Sequence, residues 1–195
     1  MSQFAPYFSL GFQHILDLNR VVYVLFLISI SVIFVYKDWR HVLVLLLFFS
    51  IGYSFTYYLT ALKIIQIDQR LIEVLIFVTL FLTSMSNIFR KKDRFRIKGN
   101  LQRIFFLALI FGLVYGVGFA NYIYSVVDVP GLQFITLLAF NIGLEAGMAV
   151  AIVTYLIIAM IFVGLVGVNR RDWVLVISSG IAGVALTFLF ESKYW

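Results

Sequence analysis

Cysteine is absent from the chain, and proline and histidine occur twice each. Without thiols there can be no disulfide, thiolate metal site, iron–sulfur cluster or cysteine nucleophile. Charge is almost as scarce. Asp, Glu, Lys and Arg make up 12% of the 195 residues, roughly half the share of an ordinary soluble domain. That excludes a soluble globular domain, a disordered chain and a nucleic-acid-binding module. The catalytic motifs are missing too: there is no His-Glu-x-x-His, no Gly-x-Ser-x-Gly, no P-loop and no Gly-x-Gly-x-x-Gly opening a helix. Ser84 and Ser86 have no histidine in the same half of the membrane, so an intramembrane serine protease is not supported. No enzyme activity is expected.

What the chain does have is apolar length, with 63% of residues hydrophobic. A helix needs about 20 such residues to cross a bilayer. Six stretches qualify: Arg20–Tyr36, His41–Leu62, Leu71–Phe89, Ile104–Val127, Pro130–Val166 and Trp173–Phe190. The expectation is an all-α polytopic membrane protein, one transmembrane helical domain over residues 1–195 in contact with the lipid bilayer. The fifth stretch is long enough to tilt, to kink at its glycines or to run beyond the lipid. The first 19 residues lack the basic start and unbroken apolar core of a signal peptide. Phe4, Tyr7, Phe8, Phe12 and Ile15 leave room for a short interfacial helix before the first span.

Lysine and arginine set the expected orientation. The first, third and fifth loops carry eleven of them, seven between Arg90 and Arg103, against four on the other side: Arg20, Lys63, Arg70 and Lys193. The loop at 90–103 is therefore expected in the cytoplasm and both termini in the periplasm of a bacterial inner membrane. Lys37-Asp38-Trp39 and Arg171-Asp172-Trp173 each precede a span. They are two similar interfacial helix starts, in which Asp can cap and Trp favours the interface.

Polar residues inside the spans are few. No span carries a basic residue beyond its first turn, but Glu73 and Glu145 lie within spans. Glu145 falls near mid-bilayer, where a carboxyl group is costly unless neutral, paired or facing a polar cavity. Glu73 is close to the outer end of its span. Asn141 precedes Glu145 by four residues and shares its helical face. Gly112 and Gly116, and Gly143 and Gly147, form two Gly-x-x-x-Gly motifs in consecutive spans. This spacing lets backbones approach closely, and contact between those two helices is expected. His14 and His41 are expected on opposite faces of the membrane, which argues against a shared metal or haem site.

Four segments carry a family resemblance. They are Gly11-Phe-Gln-His14-Ile-Leu-Asp17, Phe49-Ser-Ile-Gly-Tyr-Ser-Phe-Thr56, Leu113-Val-Tyr-Gly-Val-Gly-Phe-Ala120 and Phe140-Asn-Ile-Gly-Leu-Glu-Ala-Gly147. In order and spacing the chain resembles the HupE/UreJ family, bacterial membrane proteins associated with hydrogenase and urease gene clusters and with nickel or cobalt uptake. The resemblance implies an intact fold over the whole chain. It also exposes departures. An Asp-His pair in the family's first span reads Val22-Tyr23 here. The family's histidines in the second and fourth spans are Tyr53 and Tyr115, and a glutamine is Met148. His14, Asp17, Glu73, Asn141 and Glu145 remain.

Imidazole offers nickel or cobalt a lone pair at neutral pH, whereas a phenol of pKa near 10 is chiefly a hydrogen-bonding group. The substitutions keep ring volume and lose the ligand. The resemblance thus implies an accessory or scaffold subunit with a degenerate metal site and no resident cofactor, joined to a membrane-protein partner or to further copies of itself. The alternative is a permease for nickel, cobalt or another small solute, using Glu145 with His14, Asp17 and Glu73 on the outer side. A further expectation is that the Tyr53 and Tyr115 hydroxyls turn toward Asn141 or Glu145.

Overall fold

The computed structural model describes residues 4–17, 21–90, 101–126 and 134–192. In lipid every backbone amide must be bonded within its own segment, so apolar runs of this kind become helices. Seven helices follow: α1 Phe4–Leu16, α2 Val22–Ser31, α3 Trp39–Ala61, α4 Gln69–Ile88, α5 Leu101–Val126, α6 Phe134–Ala159 and α7 Arg170–Glu191. A 3₁₀ turn at Tyr36–Asp38 precedes α3, and a π-helical stretch at Met160–Leu165 prolongs α6. Helices α3 to α7, α6 with its extension, are long and apolar enough to span a bilayer. The lysine- and arginine-rich run after Arg90, together with Arg20, Val127, Pro130 and Lys193, lies outside the described residues.

The first span departs from expectation. The helix covers only Val22–Ser31, 10 residues long, and Val35 is extended before the 3₁₀ turn. α1 is not a surface helix either. Its Gly11, His14 and Ile15 are buried. Phe8 and Phe12 lie against Gly143, and Ile15 against Gly147. Beyond the polar stretch that starts at Asp17, α2 continues in the same direction along α6. There the Tyr155 hydroxyl donates to the Phe34 carbonyl at 3.2 Å. α1 and α2 are two short helices in succession where one interfacial helix and one continuous span were expected.

Two tight seams organise the rest. Gly52 of α3 meets Leu109 and Gly112 of α5, and Gly116 meets Tyr53 and Thr56. The Thr56 hydroxyl donates across this seam to the Leu113 carbonyl at 2.7 Å. The second seam is α1 on α6, through Gly11, Gly143 and Gly147. The two Gly-x-x-x-Gly motifs therefore do not pack on each other, as the sequence had led us to expect. Each serves a different partner, because the partner is whichever helix also offers a small residue at the crossing.

The two look-alike loops meet in space. Arg170 pairs with Asp38 at 3.1 Å and also donates to the Ile33 carbonyl. Asp38 makes no cap bond to α3, since its carboxylate is taken by Arg170 and by the Val35 amide at 3.2 Å. α7 is capped by Asn169, which accepts from the Arg171 amide at 3.0 Å; Asp172 lies in the helix's first turn. At Asp38 the expected cap gives way to a tertiary ion pair, and at α7 the cap is Asn169 in place of Asp172.

Candidate functional site

α1, α2, α3, α5 and α6 direct aromatic rings into one shared centre. His14 is 2% exposed. Its ring stacks on Tyr122 with centroids 3.9 Å apart and lies 5.0 Å from Tyr23. Tyr23 is 5.8 Å from Tyr115, and Phe49 bridges Tyr115 at 5.5 Å and Tyr53 at 5.7 Å. Phe119 contacts His14, Tyr23, Tyr53 and Tyr115. Such tilted and edge-on ring pairs fill space densely and hold one another by their quadrupoles. Tyr53 and Tyr115 are almost wholly buried. Four residues far apart in sequence, His14, Tyr23, Tyr53 and Tyr115, are thus gathered into one cluster.

A polar seam borders this centre between α3 and α6, which run antiparallel. The Tyr57 hydroxyl donates to the Leu137 carbonyl at 3.3 Å. One turn along, the Tyr53 hydroxyl donates to Asn141 Oδ1 at 3.2 Å, and Asn141 Nδ2 donates to the Ser54 hydroxyl at 3.1 Å. Ser50 and Glu145 also interact with the Tyr53 hydroxyl. Tyr53 meets the expectation for its hydroxyl through Asn141. Tyr115 does not: its hydroxyl faces Thr79 of α4 and has no hydrogen-bond partner among the described residues. The reason is the α3–α5 seam, which turns Tyr115 away from α6.

The acids are dispersed. Glu145 is exposed on the flank of α6 beside α3. Glu73 is exposed in α4 and accepts from Gln69 at 2.9 Å. Asp17, just past the end of α1, borders a crevice of about 550 Å³ between α2, α6 and α7 whose wall is mostly apolar. No group of three His, Asp or Glu that could hold a metal occurs among the described residues. His14, Asp17 and Glu73 therefore form no common ligand set, because α1 carries His14 into the aromatic centre while Asp17 faces the crevice. His41 stacks on Phe34 at the other end of the bundle.

Sequence reasoning missed Tyr57, Tyr122, Phe119 and Ser54. The signal for part of this was present: Ser50, Ser54 and Tyr57 recur at helical spacing along α3.

The model of HupE / UreJ proteins matches residues 1–192. The chain belongs to the HupE/UreJ family. No curated protein and no solved structure matches it. Membership makes it a multi-pass membrane protein of a family linked to nickel and cobalt transport. The clustered positions Tyr23, Tyr53 and Tyr115 are those at which the resemblance set out above implies histidines. The donor set at this centre, one imidazole and three phenols, does not fit a soft or borderline cation.

Proposed function

We propose that this HupE/UreJ protein is a non-catalytic accessory or scaffold subunit of a membrane complex, with its ancestral metal passage filled by aromatic side chains. One observation carries the reading. Tyr23 lies within ring-contact distance of His14, and Tyr23, Tyr53 and Tyr115 all pack on Phe119, at positions where the family resemblance implies metal ligands. A hydrated divalent cation would have to displace several mutually supporting rings and would meet only one imidazole. The charge distribution supports placement in a bacterial inner membrane with the loop at 90–103 in the cytoplasm and both termini outside.

The test is nickel and cobalt uptake into proteoliposomes, alongside metal content by native mass spectrometry. The native chain is expected to carry and move neither ion. A variant with Tyr23→His, Tyr53→His and Tyr115→His is expected to retain metal. Uptake by the native chain that disappears in His14→Ala would overturn the proposal.

A second reading, a permease, draws on Glu145, which keeps an ionisable group in mid-span. Under that reading Glu145→Gln abolishes solute or proton movement, whereas a scaffold leaves such fluxes at the level of empty liposomes.

A further inference from the structure

Helix α3 ends on a residue that its backbone disfavours. Lys63 follows the C-cap Leu62 and takes a left-handed conformation, φ 60°. No other described residue except a glycine has a positive φ. The hydrogen bonds around it are those of a Schellman motif. The Lys63 amide donates to the Thr60 carbonyl at 2.9 Å, and the Ile64 amide to the Leu59 carbonyl at 3.0 Å. Glycine fits this place without steric cost, and lysine does not. A lysine needed only for the negative end of the helix could stand anywhere in the last turn.

The left-handed turn puts Lys63 in the wall of a pocket of about 310 Å³, between the α3–α4 connection and the last turns of α5. Thr60, Gln66, Asn121 and Tyr124 give this wall polar groups, and Ile65 and Ile67 give it an apolar side. Two hydrogen bonds hold the connection on α5. The Tyr124 hydroxyl donates to the Ala61 carbonyl, and Asn121 Nδ2 donates to the Ile67 carbonyl at 3.3 Å. Lys63 forms no ion pair among the described residues. Asp68, at the far end of the connection, accepts from the Arg70 amide at 2.7 Å as the cap of α4. Thr60 is 4% exposed, and its hydroxyl has no hydrogen-bond partner among the described residues. Contacts within the chain therefore do not account for an ammonium and a buried hydroxyl gathered at one pocket.

We propose that this pocket binds a small organic solute through its carboxylate, with Lys63 as the counter-charge. A single ammonium matches the single charge of a carboxylate. A phosphate monoester carries more than one charge at neutral pH, and no arginine or second lysine lines the pocket. Gln66 and Asn121 have amide N–H groups for the carboxylate oxygens, Asn121 keeping one beyond its bond to Ile67. Hydrogen bonds to an ionised group are the stronger kind. Ile65 and Ile67 accept a short hydrocarbon part. The volume lies at the low end for ligand pockets, so the solute is small. A divalent cation does not fit, because the lining holds no carboxylate or imidazole and does hold a lysine. On the orientation proposed above, the pocket lies at the periplasmic end of the bundle. The inference stands whether or not the protein moves metal.

The test is isothermal titration calorimetry of the full-length protein in a non-ionic detergent, with sodium acetate, lactate and butyrate against sodium chloride at equal ionic strength. The native chain is expected to bind at least one of the three carboxylates. Lys63→Gly is expected to weaken that binding about tenfold or more. The same variant should unfold at a higher temperature, because glycine relieves the left-handed backbone, so its lost binding is not a folding defect. Lys63→Arg keeps the charge and should keep most of the binding. A lysine with a purely structural role predicts the gain in stability with no binding to lose. Absence of binding for all three carboxylates overturns the proposal, as does binding that is unchanged in Lys63→Gly. Tighter binding of inorganic phosphate than of any of the three overturns the assignment to a carboxylate.

Discussion

Two pairs of glycines show how differently the same residue can be used in one bundle. Gly116 and Gly143 sit where helices cross, and a Cβ at either would run into backbone of the neighbouring helix. Gly180 and Gly183 of α7 have open space on the side where a Cβ would stand. The first pair allows α5 to meet α3 and α6 to meet α1. The second has no described atom within 4 Å of where a Cβ would stand. A glycine in a membrane helix is therefore not evidence of a contact; the evidence is another backbone across from it.

The strongest way to break this comparison is to fill both kinds of site. Gly116→Leu or Gly143→Leu forces two backbones apart and is expected to cost about 3 kcal/mol or more, read as loss of a cooperative thermal transition in detergent. A transition that keeps its midpoint would mean the crossing is not where the structure places it.

The next largest effect belongs to the link between the loops. Arg170→Met leaves Asp38 and the Ile33 carbonyl without their shared donor, and about 2 kcal/mol should be lost. In a double-mutant cycle with Asp38→Asn the two losses should not add. Additive losses would show that the ion pair does not couple α7 to the start of α3.

Smaller still is the contrast between two buried phenols. Tyr53→Phe removes the bond to Asn141 and should cost about 1 kcal/mol. Tyr115→Phe removes a hydroxyl with no bond and should be neutral or slightly stabilising. Equal costs would sink the distinction between the α3–α6 seam and the α5 core.

The smallest effect has the opposite sign. Gly180→Ala and Gly183→Ala meet no atom and relieve the backbone entropy of glycine in a helix, worth about 0.5 kcal/mol each. A clear loss of stability in the membrane, with none in detergent, would reveal a partner seated on α7.

How much of this was readable beforehand differs from residue to residue. Long apolar runs and two prolines left little choice but membrane helices, and α3 to α7 fall on five of the six expected spans. In the remaining one the helix runs only from Val22 to Ser31, because hydropathy counts apolar residues without regard to where a helix stops. Asn141 and Glu145 were picked out by their cost in lipid, but their surroundings were not. Asn141 turns inward to Tyr53 and Ser54, and Glu145 is left outside, although one turn of helix separates them. Four residues advance an α-helix about 40° past a full turn, enough to move a side chain from a seam to its rim.

The sequence by itself determined that this is a helical membrane protein of the HupE/UreJ family, and that positions 23, 53 and 115 carry phenols. Those properties rest on composition, segment length and residue identity, which do not depend on neighbours. Only the tertiary structure decided that the three phenols and His14 share one packed centre, that each glycine motif serves a different helix, and that Arg170 reaches Asp38. Those are contacts between residues 9 to 135 positions apart, and a contact of that kind exists only once other helices have fixed both ends.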